Sequence, residues 1–142
     1  MTTPAGWDVR IFRRDAVAPE RTFTVVHAAN FPLPSAVGDY GNGAVQLMGP
    51  WCILMCLVEV APEQAGDALF RAPGPPVALS VGEFRRSTLQ HNRPGQAGTQ
   101  RFFNVSGRAW SLFVVLGSEE MRDTLVPVAN EVLSRLVIAP EP

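Results

Sequence analysis

The sequence predicts an α+β domain, a mostly antiparallel central sheet with a C-terminal helix packed on it. Three observations carry that expectation. Short runs of alternating or wholly apolar residues recur along the chain, as strands require. Thr99–Val105 and Arg108–Gly117 flank Ser106-Gly107, a two-residue turn that suits a β-hairpin. Beyond Ser118, as far as about Ile138, the apolar spacing changes to the helical period.

A length of 142 residues suits one domain, 1–142, with a real hydrophobic core. Hydrophobic content of 46% and charged content of 18% belong to a globular chain. The net charge of −1 supplies no general field for nucleic acid. All twelve basic residues are arginine, which excludes Schiff-base lysine chemistry and a P-loop lysine. No apolar stretch follows the charged N-terminus, so no signal peptide is expected. The longest apolar run, Trp51–Val58, falls far short of the ~20 residues of a membrane span. A cytoplasmic location is therefore expected, with no membrane partner.

The elements follow in order. Trp7–Phe12 alternates apolar and charged residues and reads as a half-buried strand, with Arg13–Glu20 as a loop. Arg21–His27 is a second strand, with Phe23 and Val25 on one face. The segment 30–49 is mostly irregular: Phe31-Pro32-Leu33-Pro34 must be extended, since each proline drives its predecessor out of the helical region. Gly38–Gly43 is a turn, and Ala44–Met48 either a short strand or a helical turn. Trp51–Val60, apolar on both faces until Glu59, reads as a central strand. Cys52 and Cys56 lie in this run; their Cα atoms would be about 13 Å apart along a strand, too far for a disulfide. They are expected to be two reduced, buried thiols.

Pro62 suits the start of a short helix reaching Phe70, with Ala65, Ala68 and Leu69 buried. Val77–Val81 is a brief extended segment, Glu83–Leu89 leans to strand, and Gln90–Gly98 is a polar loop. In the hairpin a two-residue loop sets Phe103 opposite Trp110, and a three-residue loop with Gly107 at a bulge is equally physical. The last helix can be capped by Ser118 or Asp123. Pro127, tolerated only in a first turn, places the regular helix near Asp123. Leu125, Val128, Ala129, Val132, Leu133 and Leu136 form its apolar stripe, and Glu131 and Arg135 a solvent-facing pair.

Little chemistry is written in the chain. No HExxH, GxSxG, P-loop or CxxC motif occurs. A zinc site would need both His27 and His91 with a further ligand, so no metal and no cofactor are expected. Gly38–Gly43 could cradle a phosphate, but no basic residue adjoins it in sequence and a plain turn is the simpler reading. Glu59 reads as the point where its strand reaches solvent; buried there, it would have a raised pKa. Trp7, Trp51 and Trp110 read as core or rim aromatics. The densest polar cluster runs from Gln90 to Arg101. Within it His91, Asn92, Arg93, Gln96 and Arg101 are the candidate binding residues, because two arginine forks and an imidazole suit an anion.

The order of elements resembles the PsbP-like α/β/α sandwich group, which includes the DcrB-like proteins. Phe31-Pro32-Leu33-Pro34 with Gly38-Asp39 resembles an early segment of that group. The hairpin Arg101–Gly117 and the helix Leu125–Leu136 resemble its ending. The chain lacks the N-terminal lipoprotein cysteine and carries less helix than that fold usually does. Gly38–Gly41 and Pro94–Phe103 are also similar to segments of a small bacterial family with no activity to transfer. The wider group mostly binds partners without catalysis. The resemblance thus implies a non-catalytic protein-binding module, of the adaptor or chaperone kind, whose partner is another protein. The alternatives are a binder of small anionic ligands at 90–101, or a small enzyme using His91, Arg93 and either Glu59 or Asp39.

Overall fold

The computed structural model describes residues 5–15, 22–60, 66–76, 78–89, 93–105 and 107–135. Five strands form one sheet: β1 (Asp8–Asp15), β2 (Thr22–Ala29), β3 (Ile53–Glu59), β4 (Ala97–Val105) and β5 (Arg108–Leu116). Their spatial order is β1-β2-β3-β5-β4, and every neighbouring pair is antiparallel. One helix, α1 (Arg122–Leu133), follows the sheet. The expected α+β class is the observed one.

Strand β3 explains the order. All seven of its residues are buried, so neither face can meet water and it must lie inside the sheet with cover on both sides. Ile53, Met55 and Leu57 join Trp110, Leu112 and Val114 of β5 in one core, together with Leu125, Val126, Ala129 and Leu133 of α1. Leu54 and Cys56 point the other way and pack with Phe113 and Val115 under Leu33, Tyr40 and Ala44. The sheet is thus covered by a helix on one face. On the other lies the irregular 31–48 segment, whose only helical turn is the 3-10 turn Val45–Leu47.

The hairpin closes at Val105↔Arg108 without a bulge, and Phe103 faces Trp110 as expected. Gly107 sits at φ +84°, a conformation that favours glycine. Gly41, at φ +91°, is a second position of this kind: an added Cβ would lie 2.6 Å from the buried Leu54 side chain. That close approach seats the Gly38–Gly43 turn on the sheet.

Several expectations are corrected. β1 continues through Arg13 to Asp15, where a loop was expected, because β2 offers it partners as far as Thr22. Residues 61–65 of the expected middle helix, Ala65 included, lie outside the described residues. Its end is only a 3-10 turn, Ala68–Phe70, with Phe70 buried and Ala68 and Leu69 exposed. Glu83–Leu89 is not a strand. It holds parts of two 3-10 turns, Val81–Glu83 and Arg86–Thr88, with one bridge between Arg85 and Gly98. The Ser80–Glu83 capping box forces the first of these turns.

Helix α1 begins at Arg122, one residue before the expected start, and neither Ser118 nor Asp123 caps it. Pro127 lies inside it and forfeits one ladder bond, to the carbonyl of Asp123, an exposed residue that water can reach. Val126 takes the buried place expected of Val128, which is 42% exposed. Leu136 lies outside the described residues. The Glu131–Arg135 pair forms at 2.9 Å.

Cys56 is buried in β3, whereas Cys52 precedes the strand and is only half-buried. Burial pushes the Cys56 thiol well above its ordinary value. A thiol reagent followed by mass spectrometry should therefore modify Cys52 in the folded protein and Cys56 only after unfolding. Equal labelling of the two would contradict the central position of β3.

Candidate functional site

Within the expected polar cluster Arg101 parts from Arg93 and Gln96. His91 and Asn92 lie outside the described residues. Arg101 belongs to β4, where alternation sets it on the α1 face with Thr99 and Phe103. There its guanidinium makes a two-pronged ion pair with Glu83, at 2.7 and 2.8 Å. Thr99 and the Ser80 backbone N–H donate to the same carboxylate. Burial pushes Glu83 up, but the bonds from Arg101, Ser80 and Thr99 outweigh it and bring the group to about 2. Arg101 is thus a tie between β4 and the 80–83 turn.

Glu59 does not open to solvent. It is buried and accepts two bonds from Arg108, at 2.9 and 3.2 Å, and one from the Thr24 N–H. Burial alone would raise its pKa; the bonds from Arg108 and Thr24 outweigh burial and lower it. A carboxylate held ionised by its neighbours is a structural tie and a poor general acid.

Arg93 and Gln96 lie on the opposite face, in the wall of a cavity of about 210 Å³ beside the Gly38–Gly43 turn. Its apolar wall includes Val45, Leu89, Phe113 and Val115. The Gly38, Gly41 and Gly43 N–H groups are all taken within residues 38–46. The turn therefore has none of those three donors left for a phosphate.

A second cavity, of about 580 Å³, flanks the same turn on the side of β1. Arg10 and Phe12 of β1, His27 of β2 and residues 35–38, 42 and 43 line it. No local pattern in the chain marks these residues as neighbours. Arg10 donates to the carbonyls of Leu33 and Pro34, at 2.7 and 2.5 Å, and Asp8 accepts from the Leu33 N–H. His27 is buried, packs edge-on against Phe12, and donates from Nε2 to the Asp39 carbonyl at 3.1 Å. Burial, then the nearby Arg10 charge, push the imidazole below its ordinary value, so it is neutral at pH 7. Its work is to hold the turn between the two cavities.

The two sheet edges differ. Along β4 the outer edge is met twice. Arg85 and Gly98 exchange both backbone bonds, and Asn104 donates to Ala72 and accepts from Gly74. Along β1, among the described residues, no backbone bond leads anywhere but to β2. This open strand carries Ile11, 65% exposed, and Phe12, 38% exposed. Leu47 and Trp51 add two more large apolar side chains at the surface, each 63% exposed. Trp51 was expected at the core or its rim.

Among the described residues no group of three or more His, Cys, Asp or Glu could hold a metal ion. No helix among them is long and apolar enough to cross a membrane. Comparison of the chain with protein-family models, with curated proteins and with solved structures returns no match.

Proposed function

We propose that this protein is a non-catalytic module that binds another protein by adding an extended segment of it to the free edge of β1. The observation that carries this reading is the difference between the two edges. Folded proteins guard sheet edges because unpaired N–H and C=O groups recruit strands. Here one edge is guarded at two points and the other presents Ile11 and Phe12. In strand addition the main chain supplies affinity, and pockets for alternate side chains supply selectivity. The cavity walled by Arg10, Phe12 and His27 lies over β1 and β2, on the face to which Arg10 and Phe12 point, and every second side chain of an added strand would point to that face too. The partner segment is therefore extended, with an apolar residue over that cavity and another against Ile11. The resemblance to the PsbP-like group, whose members mostly bind partners, favours the same role. A cytoplasmic setting accords with the free thiols of Cys52 and Cys56.

The test places a photo-crosslinking residue at Ile11, identifies the captured segment, and measures its affinity as a synthetic peptide. Ile11→Lys should weaken that peptide more than tenfold, about 1.4 kcal/mol. The melting temperature should stay within a few degrees, since exposed substitutions usually change stability by about 0.5 kcal/mol or less. Unchanged affinity for Ile11→Lys, or a captured segment that binds as a helix, would overturn the reading.

A further inference from the structure

Strand β1 turns a definite set of backbone groups outward. The Asn30 N–H donates to the Ile53 carbonyl. Alternation along an antiparallel ladder therefore turns the backbone of Val26 and Ala28 toward β3, and that of Val25, His27 and Ala29 toward β1. Their partners on β1 are Phe12, Arg10 and Asp8. The N–H and C=O groups of Val9, Ile11 and Arg13 thus point away from the sheet, and no backbone group among the described residues meets them. Val9 packs into the core under α1, so Ile11, two residues on, stands on that same face.

The open groups are symmetric about Ile11. A second β1 laid antiparallel and centred there sets Ile11 opposite Ile11, and Val9 opposite Arg13 on both sides of the centre. Each of those pairs can exchange both of its backbone bonds. Between them Arg10 stands opposite Phe12, and beyond them Asp8 stands opposite Arg14, so opposite charges face and like charges do not. The neighbouring centres lose this. Centring on Arg10 or Arg13 sets that arginine against its own copy, and centring on Phe12 sets Arg10 against Arg14. Like charges directly opposite destabilise a strand pair. Centring on Val9 overlaps only Asp8–Arg10.

We propose that the β1 edge pairs with the same edge of a second copy of this chain, about a two-fold axis at Ile11, joining two sheets into one. The contact is self-complementary, as a two-fold interface must be. It brings the two Ile11 side chains together on the side where both α1 helices lie, and covers a residue that is 65% exposed in the single chain. The pairing does not rest on capture of another protein. A crosslink from Ile11 to a second copy and one to a foreign segment differ in mass, so either reading can fail alone.

The test is sedimentation equilibrium of the full chain from micromolar to millimolar concentration, which should pass from monomer to dimer. Ile11→Lys sets two ammonium groups face to face and should raise the dissociation constant at least tenfold. The melting temperature of the dilute protein should stay within a few degrees. Register is read by oxidation of single cysteines in a Cys52→Ser background. Ile11→Cys should form a covalent dimer, because paired Cα atoms lie about 5.5 Å apart, within disulfide reach. Arg13→Cys should not, because its two copies would be offset by about 13 Å along the strand. A chain that stays monomeric throughout would overturn the proposal. So would a dimer that Ile11→Lys leaves unchanged, or an Arg13→Cys variant that crosslinks as readily as Ile11→Cys.

Discussion

Trp110→Ala should destabilise the domain by about 3–5 kcal/mol, the range for deleting a large buried aromatic side chain. Trp110 is 2% exposed. It stands at a crossing of the sheet, opposite Phe103 of β4 and Glu59 of β3, in the core that α1 covers. Deleting the ring leaves a hole bounded by three strands, and close-packed surroundings refill such holes only in part. Trp110→Phe separates packing from polarity. The indole Nε1 is buried with no hydrogen-bond partner among the described residues, so phenylalanine removes an unsatisfied donor along with some volume. That variant should lose less than about 1.5 kcal/mol. Urea unfolding of both variants checks the pair. A loss below about 1 kcal/mol for Trp110→Ala would mean the ring is not core.

Arg108→Met should cost about 3 kcal/mol at neutral pH, because it leaves the buried Glu59 carboxylate without its charge partner and, among the described residues, with the Thr24 bonds alone. The loss should depend on pH in a definite direction. In the native protein Glu59 titrates below its unfolded value, so its contribution is present above about pH 4.5 and fades as the pH falls. In the variant the bonds and charge of Arg108 are gone, so the folded value moves up. The stability that Glu59 contributes above about pH 4.5 then shrinks. The difference between the two proteins should therefore be largest at pH 7 and shrink steadily as the pH falls. Glu83 titrates alike in both and cancels. Arg108 also lies over the Trp110 ring, 4.8 Å from its centroid, so the double variant with Trp110→Ala should lose less than the two single losses combined. A pH-independent difference would mean that Glu59 is not the group affected.

The fold was legible where the physics is local. A short unbroken apolar run flanked by prolines suits a covered strand, a glycine after a short polar step can close a hairpin, and apolar spacing marks a helix. β3, the β4–β5 register and α1 follow from those rules. The 81–88 segment misled because Phe84 mimics one step of strand alternation, while the Ser80–Glu83 box bends the chain into a turn. Val128 misled because Val126 and Val128 flank Pro127 and both fit an apolar stripe. The site was less legible because its contacts bridge distant segments. Gln96 meets Val45 at a separation of 51 residues, and Arg10 meets Pro34 at a separation of 24. Polar residues close in sequence also part company once β4 begins: Gln96 stays beside the turn, and alternation carries Arg101 to the other face.

The unequal edges have a consequence for assembly. Growth of a fibre by strand pairing needs two receptive edges on each subunit, one to accept and one to offer. Here the β4 side is already engaged at both Gly98 and Asn104. Copies of this chain that met at β1 would do so across a two-fold axis and use up each other's only open edge among the described residues. Such pairing closes at two subunits. It would also occupy the surface that an incoming segment needs, so dilution would favour capture and concentration would oppose it.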